Sequence, residues 1–104
     1  MGGLHQGHAR LISASSLYMS GETETLVSVF VNPLQFSPNE DFARYPRTFE
    51  ADCDLAEQCG ASAIWCPDEE QIYPGGIAET WRIQAPNSLQ SGLCGSTRPG
   101  HFDG

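Results

Sequence analysis

Residues of one helical face recur early in the chain: Leu11, Ile12, Ser15 and Met19. No proline or glycine interrupts this stretch, so the spacing predicts a helix from about Gly7 to Met19. Gly21 is expected to end that helix, because glycine readily takes the left-handed conformation found after many helix ends.

A nearly continuous apolar run then extends from Leu26 to Val31 and is rich in β-branched residues. Such a run is typical of a strand that is buried on both faces, as in a parallel sheet. Asn32-Pro33 is expected to stop the strand, and a polar loop follows from Leu34 to Arg47.

The order of helix and strand is then repeated. Thr48 is a suitable cap for a second helix that runs to about Cys59, and acidic residues at positions 50, 52 and 54 load its positive N-terminal end. The run from Ser62 to Cys66 predicts a second buried strand, which Pro67 ends. This alternation of helices and strands indicates an α/β fold with an open sheet.

The pattern weakens after Pro67. We expect one helical turn over 68–71, a turn from Tyr73 to Gly76 and an edge strand from Glu79 to Ile83. The stretch from Ser91 to Gly104 is rich in glycine and serine, and it resembles a binding loop.

Length and charge narrow the range of functions. The chain has 104 residues, enough for one domain or part of one, and a formal net charge of −8 with no lysine. Nucleic-acid binders usually have a basic surface, so no nucleic-acid partner is expected. No apolar run approaches the ~18 residues of a membrane span, and no signal-peptide pattern opens the chain. Because the chain has no lysine, a bound anion must be held by arginine, histidine or backbone N–H groups.

Four cysteines, at positions 53, 59, 66 and 94, fit neither a zinc pattern nor a redox pair. They are expected to be reduced thiols in a cytoplasmic protein.

The strongest chemical signal is His5-Gln6-Gly7-His8. Imidazoles three residues apart share one face of a helix, and Gly7 lets a ligand approach the backbone closely. A helix N-terminus adds N–H donors and a positive dipole end. Together these features favour a site for a phosphate that gains charge in a transition state. A zinc site is a weaker interpretation, because no third ligand lies at a convincing local spacing.

Two later segments carry candidate ligand-binding side chains. Asn32 and Gln35 follow the carboxyl end of a predicted strand, which is where open α/β sheets bind ligands. Their amides can donate to a carboxylate or hydroxyl and accept from an amine, although an ordinary Asn-Pro turn explains them equally well. Arg98 and His101 lie in a glycine-rich loop that can hold a triphosphate, or they belong to a flexible basic terminus.

Read together, these motifs resemble the pantothenate synthetase, or pantoate–β-alanine ligase, family. Met1 to His8 is similar to its Met-Gly-x-Leu-His-x-Gly-His stretch, and Phe30 to Phe36 to its Phe-Val-Asn-Pro-x-Gln-Phe stretch. Ser96 to Phe102 resembles the loop that enters its nucleotide site. Two shorter segments resemble a further segment of the family: Asn39 to Asp41 and Tyr45 to Thr48. The resemblance covers essentially all of the chain, in the family's order and spacing.

The resemblance implies an ATP-dependent, AMP-forming ligase with a Rossmann-like open parallel sheet of the adenylyltransferase type. In that reaction the carboxylate of pantoate attacks the α-phosphate of ATP, and the amine of β-alanine then attacks pantoyl adenylate to give pantothenate. It also implies ATP as a substrate, Mg²⁺ as a cofactor, and a cytoplasmic homodimer with no nucleic-acid or membrane partner.

The same resemblance assigns roles to residues. ATP is lined by the first eight: Met1, Gly2, Gly3, Leu4, His5, Gln6, Gly7 and His8. The catalytic pair is His8, as the proton donor, and His5, which helps to hold the phosphate. Gln35 contacts pantoate and the incoming β-alanine, and Asn32 supports that pocket. Arg98 and His101 stay candidate phosphate contacts because of their residue types and their glycine-rich loop, and the resemblance does not assign them. Metal ligands are not assigned.

Some features of the family are missing here, among them a Gly-Glu-Lys-Asp motif, a Ser-Ser-Arg-Asn motif and a strand before Met1. We therefore expect residues 1–104 to be a partial N-terminal nucleotide-binding domain of the ligase, with its sheet incomplete at both ends and the C-terminal lid domain absent. Without the family's phosphate-binding lysine, the chain alone is expected to be inactive.

Two other interpretations stay open. Another His-x-Gly-His nucleotidylyltransferase would share His5 and His8 but would not need the segment with Asn32 and Gln35. A fragment that binds a nucleotide without catalysis would share all of these residues.

Overall fold

The structure is a computed structural model that describes residues 3–18, 24–37, 40 and 42–104. The chain divides into two compact units. The first unit comprises residues 1–31 and 46–67, and the second unit comprises residues 32–45 and 68–104.

The first unit contains two helices and a small parallel sheet. Helix α1 spans Gln6–Tyr18 and helix α2 spans Phe49–Gln58. Strand β1, Leu26–Ser28, pairs in parallel with strand β2, Ala63–Trp65. Leu26 lies opposite Ala63 in this register, and the Val29 N–H extends the ladder by donating to the Trp65 carbonyl at 2.8 Å. The α/β class predicted from the alternation of elements is confirmed.

The core of the first unit lies on one face of this sheet. Val27 and Val29, two residues apart in the chain, are buried with Ile12 of α1 and Ala56 of α2. The side chain of Leu26, on the other face, is 62% exposed. The prediction of a strand buried on both faces is therefore wrong for this chain, because α1 and α2 contribute their buried residues to one face only.

Both helices lie close to their predicted positions. Helix α1 begins at Gln6, one residue before the predicted start, and Met19 and Gly21, predicted near its end, lie outside the described residues. Thr48 occupies the N-cap position of α2 but makes no side-chain bond to the backbone there. Its hydroxyl donates instead to Oδ1 of Asp52 at 3.2 Å.

The second unit is built from single turns. Helix α3 spans Glu69–Ile72 and helix α4 spans Asn87–Gln90. The remaining elements are 3-10 turns: Pro33–Gln35, Phe42–Arg44, Ile77–Glu79, Leu93–Ser96 and His101–Asp103. Phe36 packs edge-to-face on Phe42 and Tyr45, with ring centroids 5.0 and 5.2 Å apart. Aromatic pairs at this spacing contribute beyond the area they bury.

The predicted edge strand from Glu79 to Ile83 is wrong. A 3-10 turn ends at Glu79, and the residues after it join no sheet. Trp81 is 99% exposed and Ile83 is 89% exposed. The alternation of apolar and polar residues suggested a strand, but pairing requires a neighbouring strand, and the described residues of this unit include none.

None of the helices in the described part of the chain is both long enough and apolar enough to cross a bilayer.

Candidate functional site

The two histidines of the sequence motif lie side by side at the start of α1. Their ring centroids are 3.9 Å apart, and the ring planes are inclined by 33°. His5 precedes the helix, and its carbonyl accepts the first helical hydrogen bond, from the Ala9 N–H at 3.0 Å. Because residues three positions apart share a helix face, the motif forms one compact surface of two imidazoles.

Both imidazoles accept a backbone hydrogen bond through Nδ1. The His5 N–H donates to His8 Nδ1 at 3.2 Å, and the Gly7 N–H donates to His5 Nδ1 at 3.0 Å. A neutral imidazole that accepts at one nitrogen carries its proton on the other, so each ring presents an Nε2–H donor. The sequence led us to expect open backbone donors at this helix start, but these two are occupied by the rings.

Gly7 is explained by the His5 ring. A Cβ atom at position 7 would lie 2.8 Å from Cε1 and 3.0 Å from Nδ1 of His5. Any side chain there would displace the ring and weaken its hydrogen bond to the backbone. The close approach that the sequence suggested for a ligand is made in this structure by the neighbouring imidazole.

Asp52 of α2 fastens the segment that precedes α1. Its Oδ1 accepts the Leu4 N–H at 2.7 Å, across 48 positions of sequence, and the side chain is only 2% exposed. Its Oδ2 is buried and has no hydrogen-bond partner among the described residues. Sequence reasoning treated Asp52 only as an acid near a helix N-terminus and missed this tether, because a single sequence gives no sign of a partner so far away.

The protonation of His8 follows from its surroundings. Burial lowers the pKa of the His8 imidazole below its ordinary value of 6.5, and the neighbouring His5 acts in the same direction. The negative charge of Asp52 acts the other way and raises the pKa of His8. The net lowering favours the neutral ring at neutral pH, which is the form that accepts at Nδ1 and donates at Nε2.

The rest of the predicted ATP-binding stretch is only partly described. Met1 and Gly2 lie outside the described residues. Gly3 has a φ of +60°, in the left-handed region that glycine adopts at little cost. Leu4 packs against the core, while Gln6 is exposed as the first residue of α1.

Asn32 organises the start of the second unit. It caps the 3-10 turn Pro33–Gln35, with its Oδ1 accepting the Leu34 N–H at 3.0 Å. The same oxygen accepts the hydroxyl of Tyr73 at 2.8 Å. Of the two interpretations left open, the Asn-Pro turn is present. The two bonds leave the Asn32 amide group to act as a donor.

Gln35 and His101 lie together in the second unit. The Nδ1 of His101 lies 2.9 Å from the Gln35 carbonyl oxygen, to which it donates. The Gln35 amide nitrogen donates to the Gly104 carbonyl at 3.3 Å. Because the His101 proton is held at Nδ1, the neutral ring presents Nε2 as an acceptor rather than a donor.

Arg98 is paired within the second unit. Its guanidinium forms a salt bridge with the carboxylate of Glu40. The pKa of the Glu40 carboxyl is lowered most by a hydrogen bond from the Ser37 N–H and less by one from the Ser37 hydroxyl. The positive charge of Arg98 lowers this pKa further. A phosphate at Arg98 would therefore compete with an existing carboxylate, which the sequence gave no reason to expect.

The structure thus brings the predicted residues together in separate groups. His5 and His8 form one group in the first unit, and Gln35 and His101 form another in the second. All four cysteines are free thiols. Across residues 3–18, 24–37, 40 and 42–104, no group of three or more histidine, cysteine, aspartate or glutamate side chains is arranged to hold a metal ion.

Comparison with known protein families gives a match over the whole chain. The family model described as Pantoate-beta-alanine ligase matches residues 1–104. Among curated proteins, the chain is 84% identical over 104 residues to a bifunctional pantoate ligase/cytidylate kinase of Synechococcus sp. strain CC9311, covering 100% of this chain and 21% of that protein. The corresponding protein of Synechococcus sp. strain WH7803 is 64% identical, with the same coverage.

Solved structures show the same fold. The crystal structure of pantothenate synthetase from Thermus thermophilus superposes with a TM-score of 0.85 at 40% identity, covering 99% of this chain and 36% of that one. Pantoate-beta-alanine ligase from Francisella tularensis, complexed with beta-gamma ATP and beta-alanine, gives a TM-score of 0.81 at 37% identity. That match covers 100% of this chain and 38% of the other. The Rossmann-like fold expected from the sequence is confirmed.

Proposed function

Because the chain belongs to the pantoate–β-alanine ligase family, we propose that the protein carrying it condenses pantoate with β-alanine at the expense of ATP. The chain spans about a fifth of the length of the curated relatives it matches. In the proposed reaction a pantoate carboxylate oxygen attacks the α-phosphorus of ATP and pyrophosphate leaves. The amine of β-alanine then attacks the acyl carbon of pantoyl adenylate, and AMP leaves with the formation of the amide.

The pair of Nε2–H donors at the start of α1 is the observation that carries this proposal. His5 and His8 hold their rings 3.9 Å apart, with both Nδ1 atoms bonded to the backbone. Two donors in fixed positions suit a phosphate whose oxygens gain charge in the transition state. We assign His8 as the donor that stabilises the charge gained in the transition state, and His5 as a ligand of the phosphate in the ground state.

The remaining nucleotide contacts are proposals from the family motif. We expect ATP to be lined by residues 1–8 of the chain, with Arg98 and His101 as further contacts to its phosphates. His101 would make such a contact by turning its ring N–H from the Gln35 carbonyl to a phosphate oxygen. Arg98 would exchange the Glu40 carboxylate for phosphate oxygens, and charge-assisted bonds of a guanidinium to phosphate are strong enough for such an exchange.

The organic substrates are assigned to the second unit. Gln35 is proposed to contact pantoate and β-alanine, and Asn32 to support the same pocket. The geometry that supports this assignment is a 3-10 turn that carries both residues, fastened by Tyr73 at Asn32 and by His101 at Gln35. Neutral amides are suited to a polar substrate that has both hydroxyl and carboxylate oxygens.

Mg²⁺ is proposed to enter with ATP, since this ion is commonly bound by substrate phosphates and water. No ligand for it is assigned among the described residues. A cytoplasmic homodimer, and the assignment of residues 1–104 to an N-terminal nucleotide-binding domain, are further proposals that rest on the family resemblance.

The test is a coupled assay on the full-length protein that carries this chain. ATP, Mg²⁺ and pantoate are expected to release pyrophosphate, and β-alanine should then convert the adenylate to pantothenate and AMP. Pyrophosphate release that does not depend on pantoate but depends on a phosphopantetheine or nicotinate nucleotide would identify another nucleotidylyltransferase instead. Residues 1–104 alone, assayed in parallel, are expected to release no AMP.

A further inference from the structure

The carbonyl oxygen of Asn32 is fully engaged within the second unit. It accepts the Leu34 N–H at 3.0 Å and the Tyr73 hydroxyl at 2.8 Å. An amide oxygen has two lone pairs, so these two bonds use its capacity as an acceptor. No described residue accepts a hydrogen bond from the Asn32 amide nitrogen, which keeps two N–H groups for a ligand.

Tyr73 is held where this bond requires it. It directly follows helix α3, whose first turn is closed by reciprocal bonds between Asp68 and Gln71, at 2.8 and 2.9 Å. The Tyr73 N–H donates to the Glu69 carbonyl at 2.8 Å and so anchors the residue to the helix. The phenol hydroxyl is therefore presented to Asn32 from an ordered turn that lies 41 positions away in sequence.

The two bonds to Asn32 differ in what they determine. The Leu34 N–H can only donate, so it selects the orientation in which Oδ1 of Asn32 faces the turn. A flipped Asn32 would place its NH₂ group against this N–H, and a donor facing a donor is unfavourable. The Tyr73 hydroxyl can donate or accept, and here it donates to the second lone pair of Oδ1. Tyr73 thus holds the amide, from outside the turn, in the orientation that Leu34 selects.

We propose that Tyr73 is a positioning residue that holds the Asn32 amide with its NH₂ group free to donate, so that this position binds an oxygen acceptor of the hydroxy-acid substrate and disfavours the ammonium group of the amino-acid substrate. The inference rests on the proposed ligase function. From the sequence alone, the amide of Asn32 was equally suited to donate or to accept. The Leu34 N–H settles that choice, and the bond from Tyr73 holds the amide in it.

Tyr73→Phe in the full-length protein is the first variant to test. It removes one neutral hydrogen bond, so we expect the KM for pantoate to rise roughly three- to tenfold. The KM for ATP and that for β-alanine are expected to stay within about twofold of their original values. Tyr18→Phe is the matched control, because it removes the hydroxyl of a tyrosine that is 88% exposed on α1. It is expected to change none of these constants.

A double-mutant cycle separates positioning from general stability. If Tyr73 acts through Asn32, the effect of Tyr73→Phe on pantoate disappears in an Asn32→Ala background. Equal effects with and without Asn32, or a KM for pantoate that Tyr73→Phe leaves unchanged, would overturn the inference.

Asn32→Asp tests the direction of the amide. This variant keeps an acceptor for Leu34 and Tyr73 but replaces the outward donor with an anionic oxygen, so the KM for pantoate should rise more than in Asn32→Ala. A KM for pantoate close to that of the unaltered protein would mean that the amide does not donate to the substrate. An unaltered protein that forms no AMP with pantoate would instead refute the proposed function itself, and this outcome is distinct from failure of the variants.

Discussion

Every residue that the structure describes as buried belongs to the first unit, and none belongs to the second. The first unit places its histidines on a helix that packs through Ile12 against the strand residues Val27 and Val29. The second unit places its candidate residues on single turns that are joined by hydrogen bonds, a salt bridge and edge-to-face aromatic contacts. The two units therefore hold chemical groups by different means.

This difference determines how each unit should respond to substitution. In a packed core, loss of volume lowers stability, while the surrounding side chains keep the geometry. In a unit held by polar contacts, one bond contributes only about 0.5–1.5 kcal/mol, so its loss changes a local geometry more than the fold. Substitutions in the two units should therefore have different consequences.

His8→Ala should reduce turnover of the full-length protein by about 10²–10³. The lost donor would act mainly in the transition state, where such a contact contributes about 3–4 kcal/mol. The KM for ATP should change far less than kcat. Steady-state kinetics of AMP formation give both constants, and near-normal turnover would remove His8 from the proposed mechanism.

Ile12→Ala should destabilise the protein by about 2–5 kcal/mol, because it leaves a cavity between α1 and the sheet. Trp81→Ala, which removes a larger side chain that is 99% exposed, should stay within about 0.5 kcal/mol. Urea unfolding monitored by circular dichroism compares the two variants. Equal losses would show that the second unit has a core of its own and would abolish the contrast between the units.

Asp52→Ala should cost about 1–3 kcal/mol, because the Leu4 N–H and the Thr48 hydroxyl lose their acceptor. We also expect a higher KM for ATP, since the loosened segment leads into His5. Asp52→Asn keeps an amide oxygen as the acceptor and should retain most of the affinity for ATP. Ala56→Gly in the same helix provides a variant of comparable instability, at about 1 kcal/mol or more, in which the tether is intact. If it raised the KM for ATP as much as Asp52→Ala does, the tether would have no specific role.

Stability should fall in two separate pH windows, one for each unit. His8 has a folded pKa below its ordinary value of 6.5, so the unfolded chain binds more protons near that pH, and stability falls as the pH drops through about 6.5. Glu40 has a folded pKa below 4.5, so its contribution is present above pH 4.5 and is lost as the pH falls further. In His8→Gln the thermal midpoint should no longer fall as the pH drops through about 6.5. In Glu40→Gln it should no longer show the additional fall below pH 4.5. Unchanged profiles in both variants would contradict these assignments.

The contrast between the units also explains what the sequence could predict. Helix α1 follows from the spacing of Ile12 and its neighbours, and both strands follow from short apolar runs, since these signals are local. The His5–His8 pair was predictable for the same reason. The burial of only one face of β1 was not predictable, because exposure of Leu26 depends on which layers are present.

Contacts between distant residues escaped sequence reasoning. The bond from Leu4 to Asp52 and the bond from Tyr73 to Asn32 join residues more than forty positions apart. The residue types alone do not indicate which residues will be bonded to each other. The supposed edge strand failed for a related reason: Trp81 and Ile83 alternate correctly, but a strand is defined by its neighbour. The roles of Asn32 and Gln35 came from the family resemblance, those of Arg98 and His101 came from their residue types in a glycine-rich loop, and all four stay predictions.

The hydrogen bonds at Nδ1 have an electronic consequence for the two imidazoles. Each ring draws its bond from a backbone N–H at the beginning of α1, where aligned peptide dipoles leave a partial positive charge. An acceptor that is polarised in this way becomes a stronger donor at its far side, because hydrogen bonds in a chain reinforce one another. The rings of His5 and His8 thus transmit the field of the helix outward, beyond the reach of the peptide groups themselves. An oxyanion bound at Nε2 would therefore be stabilised by the dipole of α1 through the polarised imidazole ring, although it touches no atom of the helix backbone.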